Sequence, residues 1–304
     1  MNPISSVSLV GIMQGIVVTG SSGLVGFRLM QLLCREGAAW GFYHHRKPSV
    51  GFGNWVQVDL RDRLATSKVL DSLRPSTIIH CAAYSDPVYC EYHPEEANSL
   101  NFGGTLYLSA WASQNACFLI LLSTDLVFDG MRGNYCEEDD PHPISIYGWT
   151  KLAAELAVRN GKSPYAVIRT SLVYGRSPGG DRGADERLVS AWKEGKMTPL
   201  FVDEYRNPTA VGELAQVIVE ITHRRVTGLW HVAGAECVNR FELGAKVASV
   251  LGYSENMLIA RTIDEVDCIP PRVRDSTLNI DKIRCLLDFP FATIVTNLRH
   301  EYGQ

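Results

Sequence analysis

Through positions 1–175 the apolar residues alternate between two rhythms. Short β-branched or continuous apolar runs at 15–19, 38–43, 55–58, 77–83, 117–123 and 165–173 have the length and bounding turns of buried strands. Between them, 24–36, 64–73, 94–115 and 147–159 read as helices. This alternation predicts an α/β fold: a doubly wound parallel sheet of Rossmann type, with helices on both faces. Downstream the rhythm loosens. Residues 177–185 are rich in Gly, Pro, Asp and Arg and read as a loop. Helices at 211–223 and 241–251 surround a short strand at 229–232, and the C-terminal segment mixes short elements around Pro270-Pro271. No internal repeat or low-complexity tract is visible. The expected division is a larger domain over 13–175, to which some later segments return, and a mostly separate smaller lobe over 176–304. That lobe would sit above the carboxyl edge of the sheet, where open α/β sheets bind ligands.

Composition narrows the class. The 304 residues are 46% hydrophobic and 20% charged, an ordinary globular balance. A net charge of -4 and the absence of a basic patch argue against nucleic-acid and membrane partners. The longest apolar run, 116–122, is far short of the ~20 residues that a membrane span needs. The first twelve residues lack a basic leader and a cleavage site, so a cytoplasmic location is expected, with Met13 as an alternative start. The eight cysteines (34, 81, 90, 117, 136, 237, 268, 285) form no CxxC and no ligand-like spacing with histidine. They are expected to be reduced thiols, and no metal is expected.

Val17-Val18-Thr19-Gly20-Ser21-Ser22-Gly23-Leu24-Val25-Gly26 runs from strand through tight turn to helix. Glycines here allow the turn, let backbone approach a pyrophosphate and let the helix pack on the strand, while the helix N-terminus favours anions. The spacing is GxxGxxG rather than GxGxxG, and its strand-before, helix-after context is what makes it a dinucleotide seat. The second strand ends in Tyr43-His44-His45-Arg46-Lys47. An NAD site wants an acid here for the ribose 2′-hydroxyl, and a 2′-phosphate wants Arg. The expectation is NADP(H), with Arg46 as lead contact and His44 and Lys47 as helpers; the alternative is a solvated basic loop. Asp59, after the third strand, reads either as an acceptor for the adenine amino group or as a loop acid.

Tyr147 and Lys151 lie one helical turn apart in Tyr-Gly-Trp-Thr-Lys and share a face. A tyrosine hydroxyl titrates near ~10, and an ammonium held close would favour its phenolate. Thr124, at the end of the fifth strand, can hydrogen-bond a carbonyl oxygen and steady the charge that develops on it. Tyr147 would then protonate that oxygen. Singly, Thr124 reads as a strand-end cap and Tyr147 as a core aromatic; the joint spacing carries the chemistry.

These stretches resemble the extended short-chain dehydrogenase/reductases and, within them, the dTDP-4-dehydrorhamnose reductase family. The resemblance continues through Ser-Thr-Asp-Leu-Val-Phe-Asp-Gly (123–130), Tyr135-x-Glu137-x-Asp139, Tyr147-Gly-x-x-Lys151-Leu-Ala-x-Glu155, Arg169-Thr-Ser-x-Val-Tyr-Gly (169–175), Asn207-Pro-Thr (207–209) and Arg274-x-Ser276-x-Leu278. It places the family's catalytic residues on Thr124, Tyr147 and Lys151. It matches Asn101 to the asparagine that supports the lysine's water network. It implies cofactor contacts at Gly20, Ser22, Gly23, Leu24, Val25, Gly26, Leu60, Ala82, Ala83, Tyr84 and Lys151, and substrate contacts at Asp125, Val127, Thr170 and Asn207.

The activity implied is NADPH-dependent reduction of a 4-keto nucleotide sugar to a 6-deoxyhexose, in carbohydrate biosynthesis. Relatives often dimerise, and no helix face here fixes the oligomeric state. The alternative is a non-catalytic NADP-binding regulatory subunit, because the β subunit of methionine adenosyltransferase resembles the same family. The sequence departs from the family at two places. Its usual Val-Asp-x-Ala-Glu is Pro87-Val88-Tyr89-Cys90-Glu91, and the aromatic of Arg-Thr-Ser-Trp is Leu172. Both lie near the expected sugar position and leave substrate identity open. Asp125 is followed by Leu126, so the acid pair that 4,6-dehydratases place after the threonine is missing.

Overall fold

The structure, a computed structural model, describes residues 15–37 and 39–303. The alternative start at Met13 and strand position 38 lie outside them.

The chain begins β1 (Ile16–Thr19), α1 (Leu24–Glu36), β2 (Ala39–Tyr43), β3 (Asn54–Gln57), α2 (Arg63–Leu73) and β4 (Thr77–His80). It continues through α3 (Pro87–Tyr92), α4 (Pro94–Ala97), α5 (Thr105–Gln114), β5 (Phe118–Thr124), α6 (Ile146–Arg159), β6 (Tyr165–Thr170) and β7 (Val173–Tyr174). The rest comprises α7 (Ala184–Lys193), β8 (Thr198–Phe201), β9 (Tyr205–Arg206), β10 (Thr209–Ala210), α8 (Val211–Arg224) and β11 (Gly228–His231). After these come β12 (Val238–Asn239), α9 (Arg240–Leu251), β13 (Leu258–Arg261), α10 (Asp281–Leu287) and α11 (Ile294–Tyr302).

Seven strands form one sheet in the order β11-β6-β5-β4-β1-β2-β3, and every pairing is parallel. Successive strand residues point to opposite faces, so each strand feeds two cores. Val18, Ile120 and Ile168 meet Leu29, Met30 and Leu33 of α1 and Val217, Ile218 and Ile221 of α8 on one face. Val17, Ile78, Leu119, Leu121 and Val167 meet Leu70, Leu108, Trp111, Ala154 and Val158 on the other. Burial on both faces explains why these strands read as continuous apolar runs rather than alternating ones. A third core lies apart from the sheet, where Tyr174, Leu188, Trp192, Leu243, Val247, Ile294 and Leu298 pack around the parallel pair β8–β13.

The fold class expected from sequence is the one observed. Two local expectations change. The single helix over 94–115 contains a π-helical stretch at 98–104, with Asn101 inside it; such widened turns are rare and often mark functional positions. The strand over 165–173 ends at Thr170, because Val173–Tyr174 leaves the sheet to pair with Thr209–Ala210. All eight cysteines are free thiols. Among the described residues no helix is long and apolar enough to cross a membrane.

Candidate active site

The carboxyl ends of β1, β4, β5 and β6 open into a cleft of about 750 Å³ that extends under the second lobe. Its floor is the turn between β1 and α1. Gly20 has φ +63, and a Cβ there would lie 2.7 Å from the backbone of Ala82. A Cβ on Gly26 would lie 2.4 Å from the Gly20 carbonyl oxygen, so the helix could not approach the turn. Gly23 caps α1 without a side-chain hydrogen bond, and no acid stands in the first turn. The first N–H groups of the helix are therefore left for an anion. Gly20, Ser22, Gly23, Leu24, Val25, Gly26, Leu60, Ala82, Ala83 and Tyr84 all line the cleft, where the sequence expected them.

The basic end of β2 divides. His44 lines the cleft, whereas Arg46 and Lys47 are exposed and lie outside its lining. Asp59 lines it too, but its carboxylate is already taken. Arg61 donates to it from Nε at 2.9 Å and Nη2 at 2.8 Å, and His44 Nε2 lies 3.3 Å away. The Arg61 hydrogen bonds hold the Asp59 pKa at about 2.

Thr124, Tyr147 and Lys151 converge at the other end of the floor. Ser145 opens α6 as its N-cap, accepting from Gly148 N at 3.1 Å, and Glu91 Oε1 accepts from Ile146 N at 2.6 Å. That is where the retained acid of the 87–91 stretch works: it caps the helix that carries the tyrosine. The Tyr147 ring packs against Cys90, Ala97, Tyr84, Leu126 and Ile146.

The structure corrects one expectation here. The phenol is not made acidic. Burial raises its pKa, the charge of Asp125 raises it further, and the Thr124 hydroxyl, within hydrogen-bonding reach, only partly offsets them. The Lys151 ammonium is turned elsewhere, donating to the Leu122 carbonyl at 2.6 Å. Burial lowers the Lys151 pKa to about 8, against an opposing pull from Glu155.

Asn101 lies beside these residues, buried in the π-helical stretch. Its amide accepts from Tyr84 N at 2.8 Å and donates to Tyr84 O and Thr150 Oγ1, each at 3.0 Å. With these three bonds it clamps the loop after β4 to α6, and it does not line the cleft. Of the expected substrate contacts, Thr170 and Asp125 line the cleft. The Asp125 carboxylate accepts from Thr124 Oγ1 at 2.9 Å and from Ser171 and Ser276 Oγ at 2.8 Å each, with Arg206 Nε at 3.5 Å. Val127 and Asn207 are corrected. The 3-10 turn at Asp125–Val127 swings Val127 into the main core, fully buried. Asn207 Oδ1 accepts from Leu278 N at 2.7 Å, tying two backbone segments together outside the cleft.

Sequence reasoning missed the cationic wall on the second lobe. Arg182, Arg187, Arg206, Arg240 and Arg272 line one side of the cleft, against the carboxylates of Asp125 and Glu204. Buried Glu204 is shared, at 3.3 Å from Arg206, 3.9 Å from Arg240 and 3.7 Å from Arg272. Burial, opposed by Glu204 and reinforced by the neighbouring guanidiniums, lowers the Arg240 pKa to about 10. Five guanidiniums against two carboxylates leave a positive surplus that suits an anionic ligand. Among the described residues no three His, Cys, Asp or Glu side chains gather as metal ligands.

Residues 13–301 match the RmlD substrate binding domain. The chain is 33% identical over 270 residues to a probable low-salt glycan biosynthesis reductase of Haloferax volcanii, covering 88% of this chain and 90% of that protein. It is 28% identical to the methionine adenosyltransferase 2 subunit beta of Rattus norvegicus, covering 89% of this chain and 82% of that one. Among solved structures, a dTDP-4-dehydrorhamnose reductase from Bacillus anthracis in complex with NADP has the same fold. The TM-score is 0.83 at 23% identity, over 96% of this chain and 99% of that one.

Proposed function

Because the chain belongs to the RmlD substrate-binding domain family, we propose that it is an oxidoreductase that uses NADPH to reduce the 4-keto group of a nucleotide sugar. The observation that carries this reading is one cleft holding three separate devices. An uncapped helix N-terminus lies at one end, a Thr124/Tyr147/Lys151 cluster at the other, and an arginine wall faces both.

A dinucleotide fits the residues present. The turn at Gly20 and Gly26 leaves open the space that side chains would fill, and the free N–H groups of Leu24, Val25 and Gly26 would hold its pyrophosphate. His44 at the rim, with Arg46 just beyond it, would take a 2′-phosphate. Bound there, the reduced nicotinamide supplies a hydride.

The chain's own residues do the rest. The Thr124 hydroxyl hydrogen-bonds the substrate carbonyl and steadies the charge that grows on its oxygen. Tyr147, kept neutral by burial, delivers its proton to that oxygen. The Lys151 ammonium, one helical turn away, stabilises the phenolate left behind and so eases departure of the proton. The arginine wall takes the diphosphate of the nucleotide, for which paired charge-assisted hydrogen bonds from guanidinium are well suited.

The direct test is to incubate the protein with NADPH and a panel of 4-keto nucleotide sugars while following absorbance of the reduced nicotinamide. Consumption with at least one member is expected; none with any member overturns the reading. The second reading, an NADP-binding regulatory subunit, is favoured by the match to the methionine adenosyltransferase β subunit. A partner enzyme that co-purifies and gains activity, together with no NADPH turnover, would select it.

A further inference from the structure

We propose that Glu155 is a positioning residue for this site, setting both the placement and the charge of the Lys151 ammonium from beneath the cleft. The proposal rests on the reductase reading, in which that ammonium works.

Tyr147, Lys151 and Glu155 stand at i, i+4 and i+8 on α6 and form one buried stripe. The first two face the cleft, whereas Glu155 lies under it, 0% exposed. A carboxylate removed from water is strongly disfavoured unless it is paired and hydrogen-bonded. Glu155 is both. Oε1 accepts from Ser123 Oγ at 2.5 Å and Arg169 Nε at 3.0 Å, and Oε2 accepts from Arg169 Nη2 at 2.8 Å. Arg169, equally buried, stacks 5.0 Å from the Phe128 ring and has Nη1 3.5 Å from His231 Nε2. Such a pair is weak evidence for stability, since apolar side chains often serve a core as well.

What the pair does is fix β5 at one residue. Ser123 lies opposite Arg169 in the sheet register, and Glu155 joins both. The neighbours of Ser123 are the working groups: the Leu122 carbonyl receives Lys151 Nζ, and Thr124 supplies the hydroxyl beside Tyr147. Glu155 thus anchors the strand position between the two.

Its charge acts as well. Around Lys151, α6 contributes Tyr147 and Glu155, the end of β4 contributes His80 and Cys81, and the turn after β5 contributes Asp125. Burial keeps His80 neutral, with its pKa lowered to about 3, and pushes Cys81 up to about 12. Asp125 is coupled to Tyr147 rather than to Lys151. Glu155 therefore supplies the main pull that keeps Lys151 protonated against its burial.

The test uses the full chain with Glu155→Gln, which keeps an acceptor for Ser123 and removes the charge. The ammonium is present below its pKa and lost as pH rises through it, so lowering that pKa moves the basic limb of the kcat profile to lower pH. A downward shift of about one pH unit is expected. Glu155→Gln leaves Arg169 unpaired, so the double variant Glu155→Gln/Arg169→Met, free of both charges, should shift the limb in the same direction. Glu155→Asp keeps the charge but shortens the reach to Ser123. It should lower kcat with the limb in place. A limb unmoved in the Gln variants, or moved equally in the Asp variant, overturns the proposal. If no substrate turns over at all, the reductase reading has failed instead. The pH dependence of Lys151 acylation, quantified by mass spectrometry, then still decides: a titration unchanged by Glu155→Gln removes the coupling.

Discussion

Removing one oxygen from Tyr147 separates seat from chemistry. In Tyr147→Phe the ring keeps its packing against Cys90, Ala97 and Tyr84, so the backbone of α6 and the cleft shape should be preserved. What disappears is the interaction with the Thr124 hydroxyl. A neutral hydrogen bond contributes about 0.5–1.5 kcal/mol net, and the Thr124 hydroxyl left behind still donates to Asp125 Oδ1 and accepts from Leu126 N, which keeps the loss near the low end. At that size the Tm should fall by only about 1–2 °C. The effect on turnover is of another order. General-acid catalysis is worth about 10²–10⁴-fold, which is about 2.7–5.4 kcal/mol of barrier at about 1.36 kcal/mol per decade. The assay has two arms: NADPH affinity by calorimetry, and single-turnover oxidation of NADPH with the best substrate of the panel. Affinity within about threefold of wild type, together with turnover down at least about a hundredfold, is expected. Turnover close to wild type would refute the assignment of Tyr147 as proton donor. Equal loss of binding and turnover would show that the ring, not its oxygen, holds the site together.

Arg46→Ala should weaken NADPH while leaving NADH nearly unchanged, because a 2′-phosphate contact to a charged group is worth about 1.5–3 kcal/mol; equal ratios of the two dissociation constants would remove that contact. Arg272→Ala, at a half-exposed member of the arginine wall, should raise the Kd for a nucleoside diphosphate by about 10–100-fold without altering NADPH affinity. An unchanged Kd would move the diphosphate elsewhere. His80 and His231 are held neutral by burial, each with its pKa lowered to about 3. The unfolded chain protonates them near ~6.5, so stability should fall as pH drops below that value, by up to about 1.4 kcal/mol per pH unit for each. Urea midpoints that stay level between about pH 6.5 and about pH 4.5 would show that these imidazoles are protonated in the fold.

Contiguous features were legible in the sequence and convergent ones were not. The Gly20–Gly26 turn could be read because strand, turn and helix follow one another without a gap. The Thr124, Tyr147 and Lys151 cluster could be read because a strand end and a helical i, i+4 spacing place it. Which acceptor Lys151 reaches could not, because the Leu122 carbonyl comes from a different element, 29 residues away. Val127 and Asn207 stand in recognisable stretches, yet the direction of a 3-10 turn and a hydrogen bond to Leu278, 71 residues on, decide that they face inward. The arginine wall was invisible for the same reason. Its members come from the 177–183 loop, α7, β9, α9 and the Pro270-Pro271 segment, and only tertiary packing assembles them. The 177–185 stretch does read as a loop, but its end is ordered by Glu186, which accepts from Ser177 N, Arg182 N and Gly183 N.

The return of α8 and β11 to the large sheet has a practical corollary for anyone cutting the chain. β11 covers the outer edge of β6, and α8 covers the apolar flank of α1 that carries Leu29, Met30 and Leu33. A fragment stopping at 175 would retain every glycine of the nucleotide turn yet bare one strand edge and a greasy helix side. Expressed alone it should clump rather than bind, and dissection of the two activities will have to proceed by point changes instead of truncation.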